Sequence, residues 1–241
     1  MVPFDVGANQ LFVSPKGSDE GQCESNSPCA TIGRACSVAT SGADRQTSIR
    51  IAGGMYQINT SCDVHYHHLV FVYADCNDRP EIVLFGNDFA FRAQDNAILA
   101  VQCVGIRSLG SHSIAFESRQ FAIIDVDNVR IGALTDGAVM RAKEMSKINC
   151  ISTLILYGSV GYVAEASGMS TVSLGCTFSF ENTPQVNAIA FATQKSLIIA
   201  SGASWVGAFN GAKYFCFDSQ VEGATAMPGT DSASVNNCLA R

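Results

Sequence analysis

From residue 89 onward the chain repeats itself. Phe89-Ala-Phe91-Arg92 is echoed by Ile114-Ala-Phe116-Glu117, then by Ala138-Val-Met140-Arg141, Tyr162-Val-Ala164-Glu165 and Ile189-Ala-Phe191-Ala192. A second apolar column follows within each unit at Ile98, Ile123, Ile148, Val172 and Ile198, and a third at Ile106, Ile131, Leu156, Phe180 and Val206. Three short apolar or alternating stretches per unit read as three strands. Between them stand turn-forming clusters such as Gly86-Asn87-Asp88, Ser108-Leu109-Gly110-Ser111 and Asp136-Gly137. A unit of about 25 residues with three strands cannot bury its own apolar face, so units must stack one on another at the strand spacing of about 4.8 Å. The period therefore predicts a parallel β-helix. Five or six coils are expected in 89–217, and two less regular ones in 49–85 through Ile49-Arg-Ile51, Leu69-Val-Phe-Val72 and Ile82-Val-Leu-Phe85. The Leu-x-x-Leu-x-Leu-x-x-Asn pattern of a leucine-rich repeat, which has a similar period, is absent.

A stack of coils has an open end, and an uncovered strand edge invites aggregation. Residues 29–40 supply a cover. Ile32, Ala35, Cys36 and Ala39 fall on one helical stripe. Ser27-Pro28 reads as N-cap and first helical position, and Ser41-Gly42 as the stop. The chain divides as an arm at 1–10, a first strand and capping helix at 11–48, the β-helix at 49–217 and a closing segment at 218–241, one domain overall. That suits its 241 residues.

Two stretches resemble known proteins. Leu11-Phe-Val-Ser-Pro-Lys-Gly-Ser-Asp19, Ser27-Pro-Cys-Ala-Thr-Ile32 with Ala35, and Ile49-Arg-Ile-Ala-Gly-Gly-Met-Tyr56 resemble the opening of pectate-lyase-like right-handed β-helix proteins. Gly211-Ala-Lys-Tyr214, Phe217-Asp-Ser-Gln-Val-Glu-Gly223, Met227-Pro-Gly229 and Ser232-Ala-Ser234 resemble the closing segment of β-helix virion proteins of tailed bacteriophages. The resemblance implies an all-β fold, a single-stranded right-handed parallel β-helix with a short N-terminal capping helix. It also implies a homotrimer on the exterior of a phage particle, in contact with capsid or tail subunits.

Ten cysteines are many for a chain of this length, and no spacing among them fits a zinc site. They read either as buried thiols packing as small hydrophobes or as disulfides formed once the protein leaves a reducing cell. Cys23 with Cys29 is the first candidate pair, and Cys62 with Cys76 the second. Met1–Asp5 shows neither the basic nor the apolar region of a secretory leader. A formal net charge of −6 disfavours nucleic acid and anionic membrane as partners.

Chemistry has few candidates. Asp125 and Asp127 share one strand face, with Arg130 close by in sequence. Hydrolases on such folds need paired carboxylates, and lyases need acidic calcium ligands and a base. The repeat sets Asp125 in a column with Ala100, Cys150 and Ala200, and Asp127 with Gln102, Ser152 and Cys176. Neighbouring coils thus add no carboxylate, and hydrogen bonds to nearby backbone are the simpler role. Arg92, Glu117, Arg141 and Glu165 form a column of alternating charge, facing outward if Phe89 and Phe91 face inward. It reads first as a register-fixing ladder and second as a contact surface. His65, His67 and His68 read as a polar loop before a metal site. Trp205 and Phe209, among glycines, suit either sugar stacking or a subunit interface. No cofactor motif is present. The expected function is a non-enzymatic capsid-decorating or spike protein of a virion. The alternative is a tailspike that binds or cleaves host surface glycan.

Overall fold

The computed structural model describes residues 9–42, 45–58, 61–85, 88–230, 233–235 and 237–240. Among them the strands fall into three parallel sheets of ten, eight and seven strands, wound into about seven coils. One coil runs through Ile98–Gln102 of the ten-stranded sheet, Gly105–Ser108 of the seven-stranded sheet and Ile114–Ser118 of the eight-stranded sheet. The expected architecture is present, and the expected arm at 1–10 falls almost wholly outside the described residues. No helix among the described residues is long and apolar enough to cross a membrane.

The core is a set of vertical apolar columns. Leu99, Ile124, Ile148, Val172 and Ile198 stack inside the ten-stranded sheet, all fully buried. Here the sequence-based columns slip by one residue. Ile98 and Ile123 belong to an outer column that continues as Lys147, Thr171 and Leu197. Tyr162 sits beside Ala188, not Ile189, and Val206 pairs with Ser179, not Phe180. Side chains alternate in and out with period two, so a slip of one exchanges the faces, and apolar residues on both sides of Ile98-Leu99 hide it.

Phe91 and Phe116 are inside, as expected, but Phe89 is not. Both residues 90 and 91 face the core, which breaks the alternation and leaves Phe89 on the same outer side as Arg92. The Arg92 guanidinium carbon lies 4.0 Å from the Phe89 ring centroid. A cation over an aromatic face is attracted to the ring quadrupole.

The corner from the eight- to the ten-stranded sheet is built from consecutive residues at positive φ, including Gln120-Phe121 and Glu144-Met145. Hydrogen bonding continues through it: Phe121 N donates to Glu144 O at 3.2 Å and Met145 N to Gly168 O at 2.9 Å. Buried serines follow at 146, 170 and 196. Ser146 Oγ donates to Ser118 O at 2.7 Å and Ser196 Oγ to Ala166 O at 2.7 Å, so backbone oxygens inside the corner are satisfied.

The cap helix spans Ile32–Ser41. It starts four residues later than Pro28 because Cys29 is held extended: it bridges Val13 in parallel, and Cys29 N donates to Phe12 O at 2.9 Å. Thr31 is the N-cap, its Oγ1 accepting from Arg34 N at 3.1 Å. Asp19 fixes that entry by accepting from Ala30 N and Thr31 N, each at 2.9 Å. Ile32, Ala35, Cys36 and Ala39 bury the expected stripe.

All ten cysteines are bonded. Cys23 joins Cys29 within the opening loop. The pairing expected between Cys62 and Cys76 does not form. Cys62 joins Cys36 of the cap helix and Cys76 joins Cys103. Cys62 opens a strand of the eight-stranded sheet and Cys76 follows a strand of the ten-stranded one, so the two lie on different walls of the tube. Cys150–Cys176 and Cys216–Cys238 staple later coils. Stacking brings residues about one coil apart together, and every bond but Cys23–Cys29 spans about that distance, 22 to 27 residues.

Candidate functional site

The outer face of the ten-stranded sheet carries a cleft of about 230 Å³. Two of its columns meet there. One runs Ser48, Phe71, Ala100, Asp125, Asn149, and the other Arg50, Tyr73, Gln102, Asp127. Phe71 and Tyr73 form an aromatic wall, and Asp125 and Asp127 stand opposite on the strand Ile123–Asp127. Alternation puts both carboxylates on the outside while Ile124 and Val126 fill the core.

Both carboxylates are held by amides from adjoining coils. Asn149 Nδ2 donates to Asp125 Oδ1 at 2.7 Å, and Gln102 Nε2 donates to Asp127 Oδ2 at 3.0 Å. The expected column of Asp125 with Cys150 and Ala200 is thus corrected: Asn149 and Ile199 share it, because the register is one residue earlier. Nor does either aspartate serve its own backbone, as expected of an isolated pair. Asp127 is 7% exposed, and its Oδ1 is buried with no hydrogen-bond partner. The Tyr73 hydroxyl accepts from the Gln10 side chain, which holds the ring in the wall.

Arg130 does not join the aspartates. Asn128, at φ 50°, turns the chain into the seven-stranded sheet. There Arg130 Nη2 lies 2.7 Å from Glu181 Oε2, with its guanidinium carbon 4.6 Å from the Tyr157 ring centroid. Tyr157 in turn donates to Glu81 Oε1 at 2.8 Å. Burial, and then that bond to Glu81, hold the Tyr157 hydroxyl well above the usual phenol range. Arg79 bonds Asn128 Oδ1 at 3.2 Å, and its pKa is lowered by burial and then by neighbouring Arg130.

The charge column is a ladder on the eight-stranded sheet. Glu117 has Arg92 and Arg141 as its two lateral neighbours, and Arg141 has Glu165. Arg141 Nε bonds Glu165 Oε2 at 2.6 Å. Arg92 pairs with Asp63, one coil earlier, which the repeat did not expose because Asp63 stands 29 residues away. Glu117 is 1% exposed and bonds Arg119 Nη2, just past the end of its own strand, at 2.8 Å. It is therefore a buried part of the wall, and the ladder ends at Phe191.

Three further candidates resolve differently. His68 is buried, and no group of three metal-ligating side chains occurs among the described residues. Trp205 stacks on Phe178 at 4.6 Å between centroids and packs on the core. Phe209 is buried beside Phe180 at 4.9 Å. Both aromatics pack against the core, Phe209 within it and Trp205 at its edge. Sequence reasoning placed Gln102 beside Asp127, as the structure does, but missed Phe71, Tyr73 and Asn149 as cleft neighbours. The signal was present: all sit one or two coils from the aspartates in the correct register.

No protein-family model matches the chain, and no curated protein matches it significantly in sequence. Among solved structures, Escherichia coli YbhC is similar with a TM-score of 0.55 at 12% identity, over 97% of this chain and 78% of that one. A structure of rhamnogalacturonan lyase overlaps 88% of this chain and 82% of its own, with a TM-score of 0.32 at 9% identity. The chain thus shares the parallel β-helix fold of YbhC.

Proposed function

We propose that the chain is a non-enzymatic glycan-binding β-helix that works in oxidising surroundings and seats a sugar in the cleft of the ten-stranded sheet. The observation that carries this is the pairing of an aromatic wall, Phe71 and Tyr73, with two amide-held carboxylates, Asp125 and Asp127. Sugars offer apolar C–H faces and hydroxyl donors, and the cleft presents a partner for each. Binding is favoured over cleavage because both aspartates are tied to amides and Arg130 is engaged in another sheet. Five disulfides and no free thiol among the described residues support function outside a reducing cytoplasm. The resemblance of the closing segment supports placing it, as a homotrimer, on the exterior of a tailed-phage particle against capsid or tail proteins.

Calorimetric titration with a panel of bacterial surface polysaccharides tests the binding. One or more should bind, and Tyr73→Ala should weaken that binding. Silence across the panel overturns the reading. Shortened or unsaturated products that disappear in Asp125→Asn would make the protein an enzyme instead.

A further inference from the structure

We infer that the cleft selects a sugar bearing a free, protonated amino group, such as a hexosamine lacking its N-acetyl group. This rests on the glycan-binding proposal and adds the chemical class. The first observation is charge. Asp125 and Asp127 both line the cleft, and no lysine, arginine or histidine among the described residues does. The nearest basic side chains on this sheet stand outside it, Arg50 beyond Tyr73 and Lys147 beside Ile123. An acidic sugar would bring a third negative charge to two that already face one space, and like charges there are costly.

The second observation is independent of the charge count. Asp127 is almost wholly buried, yet its Oδ1 has no donor. A buried charged acceptor left unpaired is destabilising. Rotation about the soft terminal torsion of aspartate, with Gln102 following or releasing Oδ2, would turn that oxygen toward the cleft its residue lines. A hydroxyl would satisfy it and leave the charge. An ammonium supplies three donors and a compensating charge at once.

The third is shape. The cleft, at about 230 Å³, is smaller than the ~300–1,000 Å³ of pockets for drug-sized ligands, which suits one ring. The aromatic wall fits the face of that ring and also attracts a cation. A flexible lysine side chain shares the ammonium but offers no ring face to Phe71 and Tyr73.

Calorimetric titration with four probes in low-salt buffer tests this. The probes are a glucosamine tetramer, an N-acetylglucosamine tetramer, an oligogalacturonate and trilysine. The glucosamine tetramer should bind, and the other three should bind more weakly by on the order of tenfold. Asp127→Asn should weaken glucosamine binding by on the order of tenfold, the loss of one charged hydrogen bond. Ile151→Lys adds a cation at the exposed rim without touching the buried groups, and should weaken it too, so the proposal stays testable if Asp127→Asn unfolds. Equal binding of N-acetylglucosamine or oligogalacturonate overturns the amino selection and leaves the glycan cleft standing. Trilysine binding as tightly as the glucosamine tetramer overturns the sugar in favour of a basic peptide. Loss of all three sugars overturns both proposals.

Discussion

The rings of Phe91 and Phe116, one coil apart, are stacked inside the tube with centroids 5.7 Å apart and planes inclined by 12°. Both are fully buried. Phe116 also has Met140 as its neighbour in the next coil. Its side chain therefore joins three coils rather than filling one. Phe116→Ala should cost about 3–5 kcal/mol, as for other large-to-small changes in packed cores, and Phe116→Leu clearly less. Denaturant unfolding of the two variants checks the order. Equal stabilities would mean that the column does not couple the coils.

The charge ladder has members of very different worth. Glu117 is buried and bonded to Arg119, with Arg92 and Arg141 in the flanking strands. Arg92 and Arg141 keep Asp63 and Glu165, so removing Glu117 costs its packing in the wall and the bond to Arg119, and Glu117→Ala should destabilise by about 1–3 kcal/mol. Glu181, paired with Arg130 at the surface, is the control. Its side chain is 40% exposed, and Glu181→Ala should cost under ~1 kcal/mol. Thermal melts in low and high salt separate the two, since added salt screens the exposed pair more than the buried group.

Gly137 and Gly161 lie where the eight-stranded sheet shifts register between Leu134 and Ala138. A Cβ on Gly137 would fall 1.8 Å from Ser113 O, and one on Gly161 2.4 Å from Gly137 O. The backbones approach so closely there that only glycine fits. Gly161→Ala should destabilise by about 1–3 kcal/mol or more. Gly175→Ala should stay within ~0.5 kcal/mol, because its Cβ would meet only ordinary contacts at 3.9 Å and beyond. A melting-temperature comparison decides it.

Period and polarity made the coil legible, because identical positions in successive coils face identical surroundings. Phe91, Phe116 and Met140 announce themselves that way, and so do Arg92 and Glu117. Register was harder. Ile98 and Leu99 are equally apolar, yet one is 37% exposed and the other fully buried, and residue type alone does not separate them. That one-residue ambiguity hid Asn149 behind Cys150 and so hid the amide that holds Asp125. Arg130 was misplaced for another reason. It stands three residues from Asp127, but the turn at Asn128 sends it to a different wall. In a solenoid, residues a coil apart are closer neighbours than residues three apart.

The disulfide Cys36–Cys62 ties the cap helix to the first strand of the eight-stranded sheet, closing a separation of 26 residues. The helix also covers the end of the core through Ile32, Ala35 and Ala39. Its ten residues are too few to persist alone in water, so the cap depends on this docking. A closed loop of that length restricts the unfolded chain by about 3–4 kcal/mol in the chain-entropy account. Replacing both cysteines by serine should lower stability by about that amount. Hydrogen exchange should then rise first in the helix amides of Cys36 to Thr40, while amides of the central coils such as Ile124 and Ile148 stay protected. Exchange rising uniformly through all coils would show instead that the cap and the tube unfold as one unit, and that the bond acts on the whole stack.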